Sequence, residues 1–244
     1  MPLKALTKQK KVDEFNFPYT LNPYIGCVYR CIYCYAKGDF WKMVHGKRGY
    51  TDLNKAKPNH RYTSNNLHYD LQHIKPSGKW IKEVQIGNNY DPYPPIEKQH
   101  KITRGCLDVF TKYPDWKVHL ETKSDLILRD INVLQQLNDF EAEITITTLN
   151  HDKYFEPRAP STQRRFEVME KLADNGLFVR VMIMPVLGLY IHRPDKINRI
   201  PKPYTEINEI IQQSYEHGAQ DFKIKDMNYF TIGQLVKQYN IPPA

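Results

Sequence analysis

The hydrophobic positions of this 244-residue chain fall into short runs that alternate between two periods. Six runs read as strands: "FPYTLNPY" (17–24), "EVQIGN" (83–88), "WKVHLETK" (116–123), "AEITITTL" (142–149), "LFVRVMIMPV" (177–186) and "DFKIKDM" (221–227). Ile144, Thr145, Ile146, Thr147 and Thr148 make the fourth almost wholly β-branched. Nearly continuous apolar or β-branched strands suit a parallel sheet covered on both faces. Between them lie helical patterns. "DLILRDINVLQQLNDF" spaces Ile127, Ile131, Leu134 and Leu137 along one helix face. "STQRRFEVMEKLADNG" opens on a Ser/Thr cap, buries a stripe of Phe166, Met169, Leu172 and Ala173, and stops at Gly176.

Six strand–helix units predict an α/β fold, a partial (β/α)6 TIM-type barrel on a parallel sheet. A full (β/α)8 barrel typically takes ~250 residues, and here a polar insertion over about 38–62 uses part of the length. The expected organisation is a single domain over 1–244, with its core at about 15–227 and a short C-terminal helix at 231–240. In such folds ligands sit at the C-terminal ends of the strands.

Composition adds little until charge and cysteine are considered. The formal net charge of +8 suits a polyanion or an anionic cofactor, and equally a solvated basic surface. No apolar run approaches the ~20 residues that span a bilayer, and "MPLKALTKQKK" has no signal-peptide core, so the expected location is cytoplasmic. In a reducing compartment, clustered cysteines indicate metal or redox chemistry. Three of the four cysteines, Cys27, Cys31 and Cys34, stand within "GCVYRCIYCYA" at the end of the first strand. Pro23 and Gly26 oppose a helix there, which weakens the reading of three core thiols on one helical face. A structural zinc ion wants four ligands. Cys106 is distant in sequence, and His45 has no zinc-like spacing to the others. Three thiolates suit a [4Fe–4S] cluster with one iron open.

The strand ends also carry polar groups. Asn88 and Asp91 follow the second strand, Lys123 and Ser124 the third, and Thr147, Thr148 and Asn150 the fourth. Strand alternation lets only one of the two threonines face inward. "EPRAPSTQRR" supplies Arg158, and Glu156 has Arg158 and Arg165 as alternative partners. Met184 ends the fifth strand. Asp91-Pro92 as a plain turn, an exposed Arg158 and a packed Met184 are the structural alternatives. Tyr90 and Tyr93, within the loop after the second strand, are the candidate catalytic residues, and tyrosines there also suit stacking on a nucleobase.

C-x3-C-x2-C at the end of a first strand, with the aromatic Tyr33 before the third cysteine, resembles the radical S-adenosylmethionine (radical SAM) pattern. More narrowly, the chain resembles the spore photoproduct lyase-like ("DNA repair photolyase") branch. The matching segments between about 19 and 188 are "LNPYIGCVYRCIYCYA", "IGNNYDPYPPIEK", "ETKSDLILRD", "ITITTLNHDKYFEPRAPSTQRR" and "VMIMPVLG".

The resemblance implies a [4Fe–4S] cluster on Cys27, Cys31 and Cys34. It also implies S-adenosylmethionine held among Tyr33, Asn88, Asp91, Lys123, Ser124, Thr148, Asn150, Arg158 and Met184, and a reductase or flavodoxin/ferredoxin-type electron donor. The activity implied is reductive cleavage of S-adenosylmethionine to a 5′-deoxyadenosyl radical that abstracts hydrogen from a substrate, with nucleic acid one candidate. The competing expectation is a non-catalytic iron–sulfur or zinc protein that binds nucleic acid. Two departures stand out. "LYIHRPDKINR" replaces the Asn-Asp turn expected after the fifth strand, and "GNNYDPYPPIE" lacks the hydrogen-donating cysteine that the lyase reaction requires.

Overall fold

A computed structural model of the chain describes residues 4–13, 16–34, 36, 55–186 and 203–225. The insertion tip, His45, the "LYIHRPDKINR" turn and the expected helix at 231–240 lie outside the described residues. Nine strands are present: β1 (Thr7–Lys8), β2 (Tyr19–Leu21), β3 (Tyr24–Ile25), β4 (Lys57–Pro58), β5 (Glu83–Ile86), β6 (Lys117–Thr122), β7 (Asp139–Thr145), β8 (Phe178–Ile183) and β9 (Asp221–Ile224). The helices are α1 (Ser64–His73), α2 (Glu97–His100), α3 (Ile102–Phe110), α4 (Ile131–Leu134), α5 (Asp152–Phe155), α6 (Thr162–Asp174) and α7 (Pro203–Glu216).

The main sheet runs β1-β2-β5-β6-β7-β8-β9. Each pair from β2 to β9 is parallel, so all six predicted strands appear, in sequence order. The sheet is open, and only β1 runs antiparallel, along β2. That edge strand was not visible in "MPLKALTKQKK", whose Ala5 and Leu6 are nevertheless buried. The end of the insertion returns as β4 to pair with β3, immediately before the cysteine loop. Tyr62 then accepts the Asn22 N–H at 3.0 Å. Among the described residues no helix is long and apolar enough to cross a membrane.

The two faces of the sheet differ in kind. Val84, Ile86, Val118, Leu120, Ala142, Ile144, Val179, Val181 and Ile183 share one face and build the main core with the helices. Helix α6 begins as expected, its Ser161 hydroxyl accepting the Arg164 N–H at 3.2 Å, and buries Phe166, Val168, Met169 and Leu172. "DLILRDINVLQQLNDF" forms no single helix. It makes a 3-10 turn over Asp125–Asp130, then the short α4, and its last two residues open β7.

The alternate positions carry Glu83, Gln85, Lys117, His119, Glu121, Glu141, Glu143, Thr145, Arg180 and Lys223, linked across strands. His119 Nε2 meets Glu83 at 2.7 Å and its Nδ1 meets Glu141 at 3.2 Å. Arg180 pairs with Glu141 and, at 2.7 Å, with Asp221. Burial alone pulls His119 down, but Glu141, Glu143 and Glu83 outweigh it and hold the imidazole up at about 10. Phe17 lies on the His119 ring, 4.3 Å between centroids, and Lys223 sits 4.7 Å over Phe17. The expectation of two apolar faces therefore holds for one face only. The other is a buried, ion-paired lining.

Gly87 ends β5 with φ +98°. A Cβ there would strike the Glu121 carbonyl oxygen and lie 2.9 Å from Pro92 Cδ. Gly87→Ala is therefore expected to cost at least about 1–3 kcal/mol from backbone strain alone. The lowered midpoint would be read by denaturant unfolding.

Candidate cluster and cofactor site

The cysteine loop leaves β3 through Gly26, whose φ of +86° turns the chain just before Cys27. Two backbone bonds fix it to the segment after β7: Ile32 N–H to the Phe155 carbonyl at 2.9 Å and Arg158 N–H to the Tyr29 carbonyl at 3.3 Å. Tyr29, Cys31, Tyr33 and Phe155 form a small apolar cluster of their own, against which Cys27 and Cys34 pack. No disulfide joins the three cysteines. Burial pushes the thiols of Cys27 and Cys31 up to about 12, with nearby negative charge adding to the effect. Without a bound metal they are thiols rather than thiolates.

Beside the loop lies Glu156, 1% exposed. Its Oε1 accepts from the Tyr33 hydroxyl and, at 3.1 Å, from the Thr147 hydroxyl. Its Oε2 pairs with Arg165, which also donates to the Thr145 carbonyl at 2.8 Å. The Lys123 ammonium approaches Glu156 at 3.9 Å and stands 5.9 Å over the Tyr33 ring. Burial pushes the Glu156 carboxyl up, but Arg165 and Lys123 outweigh that and keep it below its usual range. Of the two partners left open by the sequence, Arg165 is the one Glu156 takes. Arg158 is exposed.

The other strand-end residues divide between this region and its supports. Asp91 accepts the Tyr93 N–H at 2.9 Å, the Thr122 hydroxyl at 2.8 Å and the Lys123 N–H at 2.8 Å. Burial nonetheless holds its carboxyl above the usual range. Asn88 donates to Gln85 at 3.1 Å. Ser124 caps the 3-10 turn, accepting the Leu126 N–H at 3.3 Å. Thr147 turns toward the cysteine loop, whereas the Thr148 hydroxyl donates to Glu206 of α7 at 2.8 Å. Asn150 is exposed beside α6 and α7, and Met184 is half-buried after β8. Tyr90 is buried. Tyr93, 0% exposed, packs in the main core and donates to Asp130 at 3.1 Å. Asp130 and Glu97 there engage Arg129 at 2.8 and 2.7 Å, which joins "DPYPPIEK" to "ETKSDLILRD".

Cys27, Asp91, Glu121 and Lys123 each keep some accessible surface although the chain encloses them on nearly all sides. Their charges act on one another in a chain from the cysteine loop to the charged face of the sheet, and we call the region they border the recess. Glu121 and its neighbours were not singled out from sequence. The signal was there in the period-2 polar positions of "EVQI", "KVHLET" and "FEAEIT".

The family model "Radical SAM superfamily" matches residues 21–197, from the end of β2 past the end of β8. The chain belongs to the radical SAM superfamily. Its relatives include an uncharacterized protein of Methanocaldococcus jannaschii, 32% identical over 192 residues, which are 73% of this chain and 65% of that one. An uncharacterized protein of Acidianus two-tailed virus is 28% identical over 180 residues, 71% of this chain and 57% of that one. The chain thus spans about 57–65% of the length of these relatives.

Solved structures share the radical SAM fold. Spore photoproduct lyase complexed with dinucleoside spore photoproduct superposes with a TM-score of 0.65 at 15% identity, covering 98% of this chain and 64% of that one. Streptococcus suis SuiB bound to S-adenosylmethionine gives 0.56 at 13%, covering 92% and 47%.

The radical SAM family uses a [4Fe–4S] cluster and S-adenosylmethionine, and the donor set fits the cluster. A single tetrahedral zinc ion at Zn–S of about 2.3 Å needs its sulfurs ~3.8 Å apart. Among the described residues, only His119, Glu141 and Glu143 bring three ligand atoms within 4.8 Å of one another. Cys27, Cys31 and Cys34 are not all gathered within that distance, a spacing that leaves them open to a group larger than one zinc ion. The His119 group is already matched by Arg180 at 3.4 Å and Lys223 at 3.8 Å from Glu143.

Removing one partner of a buried ion pair leaves the other charge uncompensated. Glu156→Ala is therefore expected to cost about 3–5 kcal/mol, because Arg165 stays buried. The unfolding free energy of this variant checks it, with Lys171→Ala, an exposed residue of the same helix, as the near-neutral comparison.

Proposed function

We propose that the chain is a radical SAM enzyme in which Cys27, Cys31 and Cys34 hold a [4Fe–4S] cluster with one iron left for S-adenosylmethionine. The observation that carries this reading is the set of three cysteines in one loop, packed beside the buried Lys123–Glu156–Arg165 group. When bound, the cluster supplies the electron that divides S-adenosylmethionine into methionine and a 5′-deoxyadenosyl radical. The protein's part is to position, to exclude water and to match charge.

We assign the Lys123 ammonium to the cofactor carboxylate and Asn88 to its ammonium. Asp91 acts through Lys123, whose backbone N–H it accepts at 2.8 Å. Burial lowers the proton affinity of Lys123, but the neighbouring negative groups, the ionised Glu156 among them, outweigh it, which suits the side chain to an anion. Met184 is assigned to the adenine. The reductant is a reductase or a flavodoxin/ferredoxin-type donor.

For the substrate we infer a nucleic acid or one of its components, on the +8 charge and the fold shared with spore photoproduct lyase. The dimer-splitting reaction itself is not assigned. "GNNYDPYPPIE" has no cysteine, and Cys106 is packed in α3 within the main core. A non-catalytic binding protein has no need of the charged group at the strand ends.

Anaerobic reconstitution tests the reading. Iron and sulfide are expected to survive Cys106→Ala and to be lost in Cys27→Ala, Cys31→Ala and Cys34→Ala. The reduced wild type is expected to release 5′-deoxyadenosine from S-adenosylmethionine. Loss of the cluster on replacing Cys106 would overturn the ligand set, and a reduced, loaded protein that leaves S-adenosylmethionine intact would overturn the activity.

Lys123→Ala is expected to keep its iron while binding S-adenosylmethionine about ten- to a hundredfold more weakly by calorimetry. One charge-assisted hydrogen bond is worth roughly 1.5–3 kcal/mol. Unchanged affinity would reject the role.

A further inference from the structure

Glu121 and Glu143 face each other in the register of β6 and β7, on the charged side of the sheet. One amide reaches both. Gln85 Nε2 lies 3.2 Å from Glu121 Oε2 and 3.3 Å from Glu143 Oε2. Two enclosed carboxylates this close do not both ionise without compensation. The compensation here is unequal. Glu143 has Arg180 at 3.4 Å, His119 at 3.6 Å and Lys223 at 3.8 Å. Among the described residues, the cation acting on Glu121 is Lys123 of its own strand, and that ammonium leans toward Glu156. Asp91, on the loop after β5, adds negative charge from the other side. Among the described residues, the Oε1 atom of Glu121 meets the Thr145 hydroxyl alone, at 3.4 Å, and the residue is not fully buried.

We propose that Glu121 stands in the recess as a neutral carboxylic acid and presents its O–H to the substrate, so that the substrate group meeting it is an uncharged carbonyl-type acceptor and not an anion, the cofactor carboxylate being taken by Lys123. This rests on the recess being the reaction site. Burial first, and then the charge of Glu143, hold the carboxyl up at about 7 against the pull of Lys123. An anionic group entering at this depth would face the negative charge of Glu143, already satisfied by its own cations. If the substrate is a nucleic acid, a base edge enters the recess and the phosphates remain outside.

Infrared difference titration of the cluster-loaded protein tests this. A protonated-carboxyl C=O band is expected below neutral pH and should vanish with a midpoint of about 7. It should be absent from Glu121→Gln and should shift promptly in heavy water, since the recess reaches it. Should Glu121→Gln not fold, Glu143→Gln carries the test. Removing the like charge should lower the midpoint by ~1 pH unit or more. Thymidine, added with S-adenosylmethionine as a carbonyl probe, should move the band, and inorganic phosphate should not.

A band that persists in Glu121→Gln, that resists exchange, that ignores Glu143→Gln or that thymidine leaves in place would overturn the proposal. The band does not depend on cofactor cleavage. A protein that shows it and yet releases no 5′-deoxyadenosine would refute the radical reading and not the protonated acid.

Discussion

The site depends on one buried carboxylate. Taking the Glu156 charge out of water costs several kcal/mol, and the cost is offset only by good partners in good geometry. Here Tyr33 comes from the cysteine loop, Lys123 from the end of β6, Thr147 from the end of β7 and Arg165 from α6. These positions are far apart in the sequence and share little beyond this oxygen pair. The loop that carries the cysteines is short and rich in aromatic bulk, and its own backbone hydrogen bonds to α5 and its flank number only two in the contacts described above. Satisfying Glu156 therefore sets where Tyr33 stands, and with it Cys31 and Cys34 on either side. A charge that must be neutralised is a stricter locator than an apolar contact, because a displaced ring loses a little area whereas a displaced countercharge exposes the full desolvation penalty.

The same logic extends along the charged face of the sheet. His119, Arg180, Lys117 and Lys223 answer Glu83, Glu141, Glu143 and the terminal aspartates from strand to strand. Such a lining is costly to desolvate, and an apolar filling of equal volume would be at least as stable. Its use is positional. The ion pairs cross between strands, most of them neighbours and Lys223–Glu143 reaching over β8, so a one-residue slip would turn each charge into the apolar core on the opposite face. Phe17 closes the lining against His119, its ring tilted on the imidazole, and the polar positions then run along β6 from His119 to Glu121, with Lys123 just beyond the strand.

Much of this was legible in the sequence, for definite reasons. The six parallel strands announced themselves by β-branched runs of the right length, and Ser161 announced the start of α6 by its side-chain oxygen. The cysteine spacing identified the loop without any structure. Two things stayed hidden. The run from Asp125 to Phe140 has helical spacing, yet the pull of Asp130 and Arg129 toward Glu97 and Tyr93 tightens its first half into a 3-10 turn. Local periodicity contains no trace of a partner about 30 residues away. The charged face was hidden differently. Gln85, His119, Glu121, Glu141, Glu143 and Arg180 alternate with apolar residues as in any half-exposed strand, and only the parallel pairing, with both faces covered, shows that they are enclosed.

The distribution of the four thiols bears on what kind of radical chemistry the fold can host. Cys27, Cys31 and Cys34 belong to the small cluster around Tyr29, Tyr33 and Phe155, whereas Cys106 belongs to the main core with Leu107, Val109 and Phe110. Burial, with the nearby Glu97 charge adding, pushes the Cys106 thiol up to about 12, which keeps it protonated and inert. A thiol quenches a product radical only from within contact distance, because hydrogen-atom transfer needs the reacting atoms nearly touching. Cys106 is walled off from the recess by the sheet's apolar layer, and the other three are the proposed ligands. Within these 244 residues, the loop that faces the recess offers amides, carboxylates and hydroxyls instead: Asn88, Asp91 and Tyr90 on one side, Glu121 and Lys123 on the other. O–H and N–H bonds give up a hydrogen atom far less readily than S–H. The described residues around the recess are therefore equipped to hold and orient a reacting group by hydrogen bonding and charge.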